Sequence, residues 1–340
     1  MIDFRYHLVS IVAVFLALAI GLVVGSTALQ PAVVSALNTA SSNEAQRNRS
    51  LYAHNSQLKA QIAAEEAFAQ AAGGSLLHGL LQGEHVVMVL APGADGPTVD
   101  GIANALHRAG ATVTGQVALT SQFFDIGNVT EQQLMTTASS LKPTGITLPN
   151  APPVTQISGQ QAAAQVIAAT IANKLGVPTL SAVQAQQIMT GFANAGFLQV
   201  NGPSGSSSLA GQATMAVVVV PGTVPPAKTS GPFNLALVSL TQDLQGSSKG
   251  ALLTGPLLGT GPRSAIDAIT SGAAGVTLTT VDNADMVSGQ IVVAQALAEL
   301  LKPHATPAAY GVRQAAVPSP APSPTPSPSV TPSHTTRKKP

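Results

Sequence analysis

From Leu8 to Leu29 the chain carries no charged residue, a run of 22 positions between Arg5 and the next charges at Glu44, Arg47 and Arg49. As a helix the run extends about 33 Å, enough to cross a hydrocarbon core of about 30 Å. It predicts one transmembrane helix over 8–29. Arg5 and the free amine outweigh Asp3 on the short leading side. The positive-inside bias therefore makes 1–7 a cytoplasmic N-terminus and places everything after residue 30 outside. A cleaved signal peptide is the competing reading, since Ser26-Thr27-Ala28 supplies small residues. The apolar stretch from Leu8 to Val24 is, however, longer than an ordinary signal core.

Residues 30–82 are polar and helical in character, with Leu37, Leu51 and Leu58 on one heptad position and Glu44 between them. Ile62 and Phe68 continue the apolar stripe, which Asn48, Asn55 and Glu65 interrupt. This predicts a helical stalk, a weak coiled coil able to join copies into a homo-oligomer. A single helix folding back on the next domain fits the same pattern.

Over 84–312 apolar runs alternate with helical segments. Strands are expected at 85–91, 112–119, 146–148, 216–220, 251–254 and 276–281, and helices near 98–109, 132–141, 159–175, 182–195, 234–244, 264–271 and 287–301. Unbroken apolar strands between helices predict an exported α/β domain with a Rossmann-like parallel sheet covered on both faces. A faint repeat places Gly96-Pro97, a helix, Gly110 and Val113 against Gly261-Pro262, a helix, Gly275 and Leu278, 165 positions on. Chance agreement of turn residues explains it equally well. Residues 313–340 alternate Pro with Ser, Thr, Ala and Val and end in Arg337-Lys338-Lys339. That composition predicts a disordered Pro-rich tail, suited to reaching into cell-wall polymer or ending free.

Charged residues make up 9% of the 340 positions, and 15 Lys+Arg face 14 Asp+Glu. The balance lacks the basic footprint of a nucleic-acid binder. With no Cys, disulfides and thiolate metal sites are excluded; with 3% aromatics and no Trp, the girdles of a membrane barrel are missing.

Candidate chemistry is sparse. Gly259-Thr260-Gly261-Pro262-Arg263-Ser264, with Asp282 further on, has the layout of a dinucleotide fingerprint. Pro262 removes an amide, Ser264 replaces the third Gly, and an exported site lacks NAD, so a tight turn is the better reading. Asp282-Asn283-Ala284-Asp285 follows an apolar strand. Asp282 and Asp285, joined by Asp95 after the first strand, are the ligand-binding candidates in the crevice at the carboxyl ends of the strands. Such oxygen donors suit a hard cation or a polar wall fragment better than a soft metal ion. Alternatively Asp285 caps the next helix and Asp282 closes the turn. The seven His are dispersed, and the five internal Met do not cluster, so no local soft-metal site is written here. Ser247-Ser248-Lys249 resembles a nucleophile pair only superficially, and no hydrolase elbow, Walker loop or zincin motif occurs. A non-catalytic chain without a cofactor is expected.

The opening Met1-Ile2-Asp3-Phe4-Arg5-Tyr6-His7-Leu8-Val9-Ser10, continuing to Gly21, resembles the start of the actinobacterial copper transport protein family typified by mycobacterial copper transport protein B. A second similar stretch is Thr280-Val281-Asp282-Asn283-Ala284-Asp285, through Gly289-Gln290 to Ala309-Tyr310-Gly311. The resemblance implies a cell-envelope protein that limits copper accumulation, with copper as transported ion. Where that family often carries Gly-His-Tyr-Gly, this chain has Ala308-Ala309-Tyr310-Gly311, so no metal role passes to a His there. The rival expectation is a structural or scaffolding protein of the cell wall with no metal role.

Overall fold

The computed structural model describes residues 4–146, 148, 157–174, 180–223, 225–257, 263–313 and 316–320. The chain divides into two units, 1–65 and 66–340. Helix α1 (Phe4–Leu77) begins in the first unit and ends in the second. Within it Tyr6–Ser26 forms a 21-residue span of mean hydropathy 2.9 with none of its window buried, long and apolar enough to cross a membrane. Residues 35–62 are exposed throughout, because nothing in their own unit packs against them.

The second unit is built on a seven-stranded sheet of order β3-β2-β1-β4-β5-β6-β7. Strand β1 (His85–Leu90) pairs in parallel with β2 (Thr112–Leu119) and β4 (Met215–Val219). Beyond β4 follow β5 (Gly250–Thr254), β6 (Thr279–Val281) and the short β7 (Ala309–Tyr310), all parallel. Only β3 (Leu198–Asn201) runs antiparallel, on the outer edge of β2. The order reverses between β1 and β4, where successive crossovers lead to opposite edges.

Alternation along the strands explains why both faces need cover. Val87 and Val89 of β1, with Ala216 and Val218 of β4, enter one core, while Val86, Met88, Met215 and Val217 enter the other. The first face is covered by α3 (Asn128–Leu141), α4 (Ser158–Ile171), α5 (Ala182–Asn194), α6 (Ser230–Ser247) and α7 (Ala265–Thr270). The second is covered by α2 (Gly96–Arg108), α8 (Val287–Leu300) and the last turns of α1, from which Leu77 is fully buried. Gly73 lets α1 lie close to α8 and α2, since a Cβ there would stand 2.9 Å from Ile291 Cδ1 and 3.3 Å from Arg108 Nη2. Arg108 Nη2 also donates to Gln70 O at 3.1 Å.

Several expectations need correction. The sheet is mostly rather than wholly parallel, because Gly196 (φ 83) turns the chain after α5 and sends β3 back along β2. Neither β3 nor β7 has an apolar run that would announce it, being an edge of four residues and one of two. No strand occupies Ile146 or Leu148; Thr147 lies outside the described residues. The strand expected at 276–281 is confined to Thr279–Val281. Gly261-Pro262 of the repeat and the tail beyond residue 320 also lie outside the described residues.

Candidate functional site

Three of the motif stretches singled out in the sequence meet at the carboxyl end of β6. Val281 is paired with Tyr310, and Asp282 N donates to Tyr310 O at 3.2 Å. The Asp282 carboxylate then turns under the chain that leaves β7. Its Oδ1 accepts from Val312 N at 2.8 Å and its Oδ2 from Arg313 N at 3.1 Å. Gly311 (φ 131) is required here, because a Cβ would collide with Asp282 Oδ1. The Arg313 guanidinium lies between two carboxylates, bridging to Asp267 of α7 and standing 3.4 Å from Asp282 Oδ2 through Nε. Asp282 is 2% exposed and Asp267 8%.

The remaining motif residues pack around this anchor. Gly289 of α8 sits where a Cβ would overlap the Asn283 carbonyl, so α8 can approach the end of β6 only with Gly at that position. Gln290 Nε2 donates to Ala284 O at 3.2 Å, and its side chain lies against Gly101 of α2. Asp285 remains exposed and caps nothing among the described hydrogen bonds; the α8 N-cap is Met286. The Val287 amide is instead met by Glu66 Oε2 at 2.8 Å. A carboxylate there satisfies a helix-end donor and complements the dipole.

Burial pushes the Asp282 carboxyl above the usual range; the Val312 and Arg313 amides pull it back, and the Asp285 charge adds to the rise. Burial pushes the Arg313 guanidinium down. The geometry describes an anchor in which both Asp282 oxygens accept backbone amides. Asp267 Oδ2 and Asn283 Oδ1 are buried acceptors without a protein partner.

Asp95 is not brought to this place. It is the N-cap of α2, with Oδ2 accepting from Thr98 N at 3.1 Å and Thr98 Oγ1 at 3.0 Å. Three strand spacings separate the ends of β1 and β6, about 14 Å. Among the described residues no group of three His, Asp or Glu could hold a metal ion. Arg263 and Ser264 of the fingerprint are described and residues 259–262 are not; Ser264 caps α7 through Asp267 N at 3.0 Å. Ser248 Oγ is spent on Leu244 O at 2.7 Å and Lys249 pairs with Glu84 at 2.7 Å, so neither forms a nucleophile and base.

Where the strand order reverses, a cleft of about 310 Å³ opens between the ends of β1 and β4. Pro92, Pro221, Pro226, Phe124 and Phe233 form its apolar wall, with the two rings 4.2 Å apart between centroids. Its lining among the described residues carries hydroxyls but no charge, which suits an uncharged apolar group better than a metal ion or a phosphate. A second cavity of about 210 Å³ beside β3 is lined, among the described residues, by one thioether, that of Met189. Sequence reasoning missed both, because their walls come from loops and helices far apart in the chain.

The molecule is thus a mixed α/β protein with one apolar N-terminal helix and a sequence-distant anchor tying α7, β6 and β7 together. A family model described as "Copper transport outer membrane protein, MctB" matches residues 1–320. The chain belongs to that family. Among its relatives, the protein named Copper transporter MctB of Mycobacterium leprae is 30% identical over 311 residues, covering 88% of this chain and 93% of the relative. The protein of the same name from Mycobacterium tuberculosis (strain H37Rv) is 28% identical over 304 residues, with the same coverage.

Proposed function

We propose that the chain is a non-catalytic, membrane-anchored envelope protein acting in copper efflux and homeostasis. The observation that carries this reading is the family match across residues 1–320, which takes in both the apolar helix and the sheet. In this reading Tyr6–Ser26 is a single-pass anchor with its N-terminus in the cytoplasm, and the Rossmann-like unit and Pro-rich tail are exported, the tail toward cell-wall polymer. The mean hydropathy of 2.9 supports the anchor, and the reversal of strand order at β1 and β4 supports the Rossmann-like description. Deletion followed by measurement of cellular copper and copper tolerance tests the function. Increased copper and lower tolerance are expected; unchanged values would leave the cell-wall scaffold as the better account. Protease added to intact spheroplasts tests the topology, with loss of the sheet unit expected and its protection refuting export.

Any ligand of the α/β unit is proposed to meet the carboxyl ends of the strands, where Asp285 is the exposed carboxylate, Asp282 acts through the turn it holds and Asp95 through the α2 end it caps. Titration with copper, calcium and wall fragments compares Asp282→Ala with His85→Ala and His107→Ala. Tight copper binding lost on the His changes alone would overturn that ranking.

A further inference from the structure

The exposed part of α1 between the apolar span and the sheet unit has a register of its own. Leu37, Glu44, Leu51 and Leu58 recur every seven residues, and Ser41, Asn48, Asn55 and Ile62 fall four positions after each. Taken as d and a positions, these are the two seams of a coiled coil, with Leu at d and Asn or Ile at a in its second half. The leucines and Ile62 are 64%, 65%, 56% and 47% exposed, so the single chain leaves the whole seam in water. We infer that residues 37–62 form a parallel, in-register homodimeric coiled coil in which Asn48 and Asn55 pair with their own counterparts.

A second copy is the occupant that this pattern fits. In a parallel pair each a or d layer meets the identical layer, so Leu51 faces Leu51 and Asn55 faces Asn55. A buried Asn amide carries both donors and an acceptor and can satisfy a second amide of the same kind. Asn at a together with Leu at d favours two strands over three or four. The seam is about 39 Å long and removes on the order of 700 Å² per copy from water, close to the 800 Å² or so of a standard specific interface. Glu44 at d and Ser41 at a weaken the first half, so the coil by itself is marginal. Its orientation rests on the membrane reading proposed above: two chains anchored by residues 6–26 in one bilayer start at the same level and point the same way, which raises their effective concentration.

The chain has no cysteine, so single cysteines report the seam directly. Full-length variants Leu51→Cys, Asn55→Cys and Leu58→Cys are oxidised with diamide in native membranes, beside Ala53→Cys, Ser56→Cys and Ala60→Cys on the outer face. The first set is expected to give about fivefold more disulfide-linked dimer than the second. Equal linking at all six positions, or none at any in membrane-inserted protein, overturns the inference, as does a mass above two chains for the unlinked wild type in detergent by light scattering. Failure of the chain to sediment with membranes would instead count against the anchor, separating the two readings. Glu44→Leu is expected to raise the dimer fraction in detergent, measured by light scattering. Asn55→Leu is expected to admit higher oligomers; an Asn55→Leu protein that stays strictly dimeric would refute the role given to that layer.

Discussion

Replacing Asp282 by Ala removes the acceptor for two backbone donors and one of the two carboxylates around Arg313. Both donors are part-buried, so each left unmet costs toward the lower end of about 1–3 kcal/mol, and the guanidinium keeps Asp267. The charge of Asp282 is itself opposed by burial, so part of the ion-pair gain is already offset in the wild type. We therefore expect a loss of about 2 kcal/mol for Asp282→Ala and roughly half for Asp282→Asn, which retains one acceptor. For a unit of this size about 2 kcal/mol lowers Tm by about 4–8 °C. Tyrosine fluorescence is a local assay. The chain has no Trp, and of its three Tyr only Tyr310, buried beside Asp282 in β7, lies in the second unit. His85→Ala and His107→Ala, both exposed, should shift Tm by less than about 2 °C. An Asp282→Ala protein melting within that same margin would refute the anchor.

Two further changes probe the same unit. Gly311→Ala should cost at least about 2 kcal/mol, because the added Cβ meets the Asp282 carboxylate and φ 131 is unfavourable for it; faster proteolysis after Tyr310 is the readout, and wild-type resistance would contradict the packing. Asp243 of α6 is pushed up to about 6 by burial. Its neutral form is favoured in the folded state, so stability falls as pH rises from the unfolded value toward 6. With allowance for solvent screening of a half-buried group, Asp243→Asn should add about 1–2 kcal/mol at pH 7, little at pH 4, and flatten the pH profile of Tm between them.

Much of the fold was legible because its long strands advertise themselves. His85–Leu90 and Met215–Val219 are nearly continuous apolar runs, as strands buried on both faces must be. Helix ends were readable only in part: Gly110 (φ 91) closes the turn after α2, but the cap considered in the sequence, Asp285, is not one. The caps of α2 and α7 are Asp95 and Ser264, read in the sequence as a ligand candidate and as part of a glycine-rich turn. Edges were not legible. Leu198–Asn201 and Ala309–Tyr310 are defined by what lies beside them, and a two-residue strand has no period to detect. The candidate site was legible as motifs but not as an arrangement. Asp282, Gly289 and Gly311 are separated by up to 29 residues, and what joins them is a steric demand for Gly on either side of one buried turn. Glu66 as the partner of the Val287 amide, 221 residues away, left no sequence signal, since a Glu near the end of a polar helix reads as solvated surface.

How such a chain serves copper transport turns on what its apolar helix can do. The sheet is covered on both faces by helices, so its strands do not meet lipid, and a single 21-residue helix has no lumen. Two copies joined along one seam bring two helices together and still enclose nothing. If the helix only anchors, its particular residues are dispensable and its length and apolarity are not. Replacing residues 6–26 by leucines of the same number, which erases Ser10, Gly21, Gly25 and Ser26 while preserving insertion, should then leave copper content and tolerance within about twofold of wild type. Deleting the span should abolish membrane retention. A leucine variant that inserts normally but loses copper tolerance would show that polar or small groups of the helix contact the ion's path, and would move the functional site from the α/β unit into the membrane.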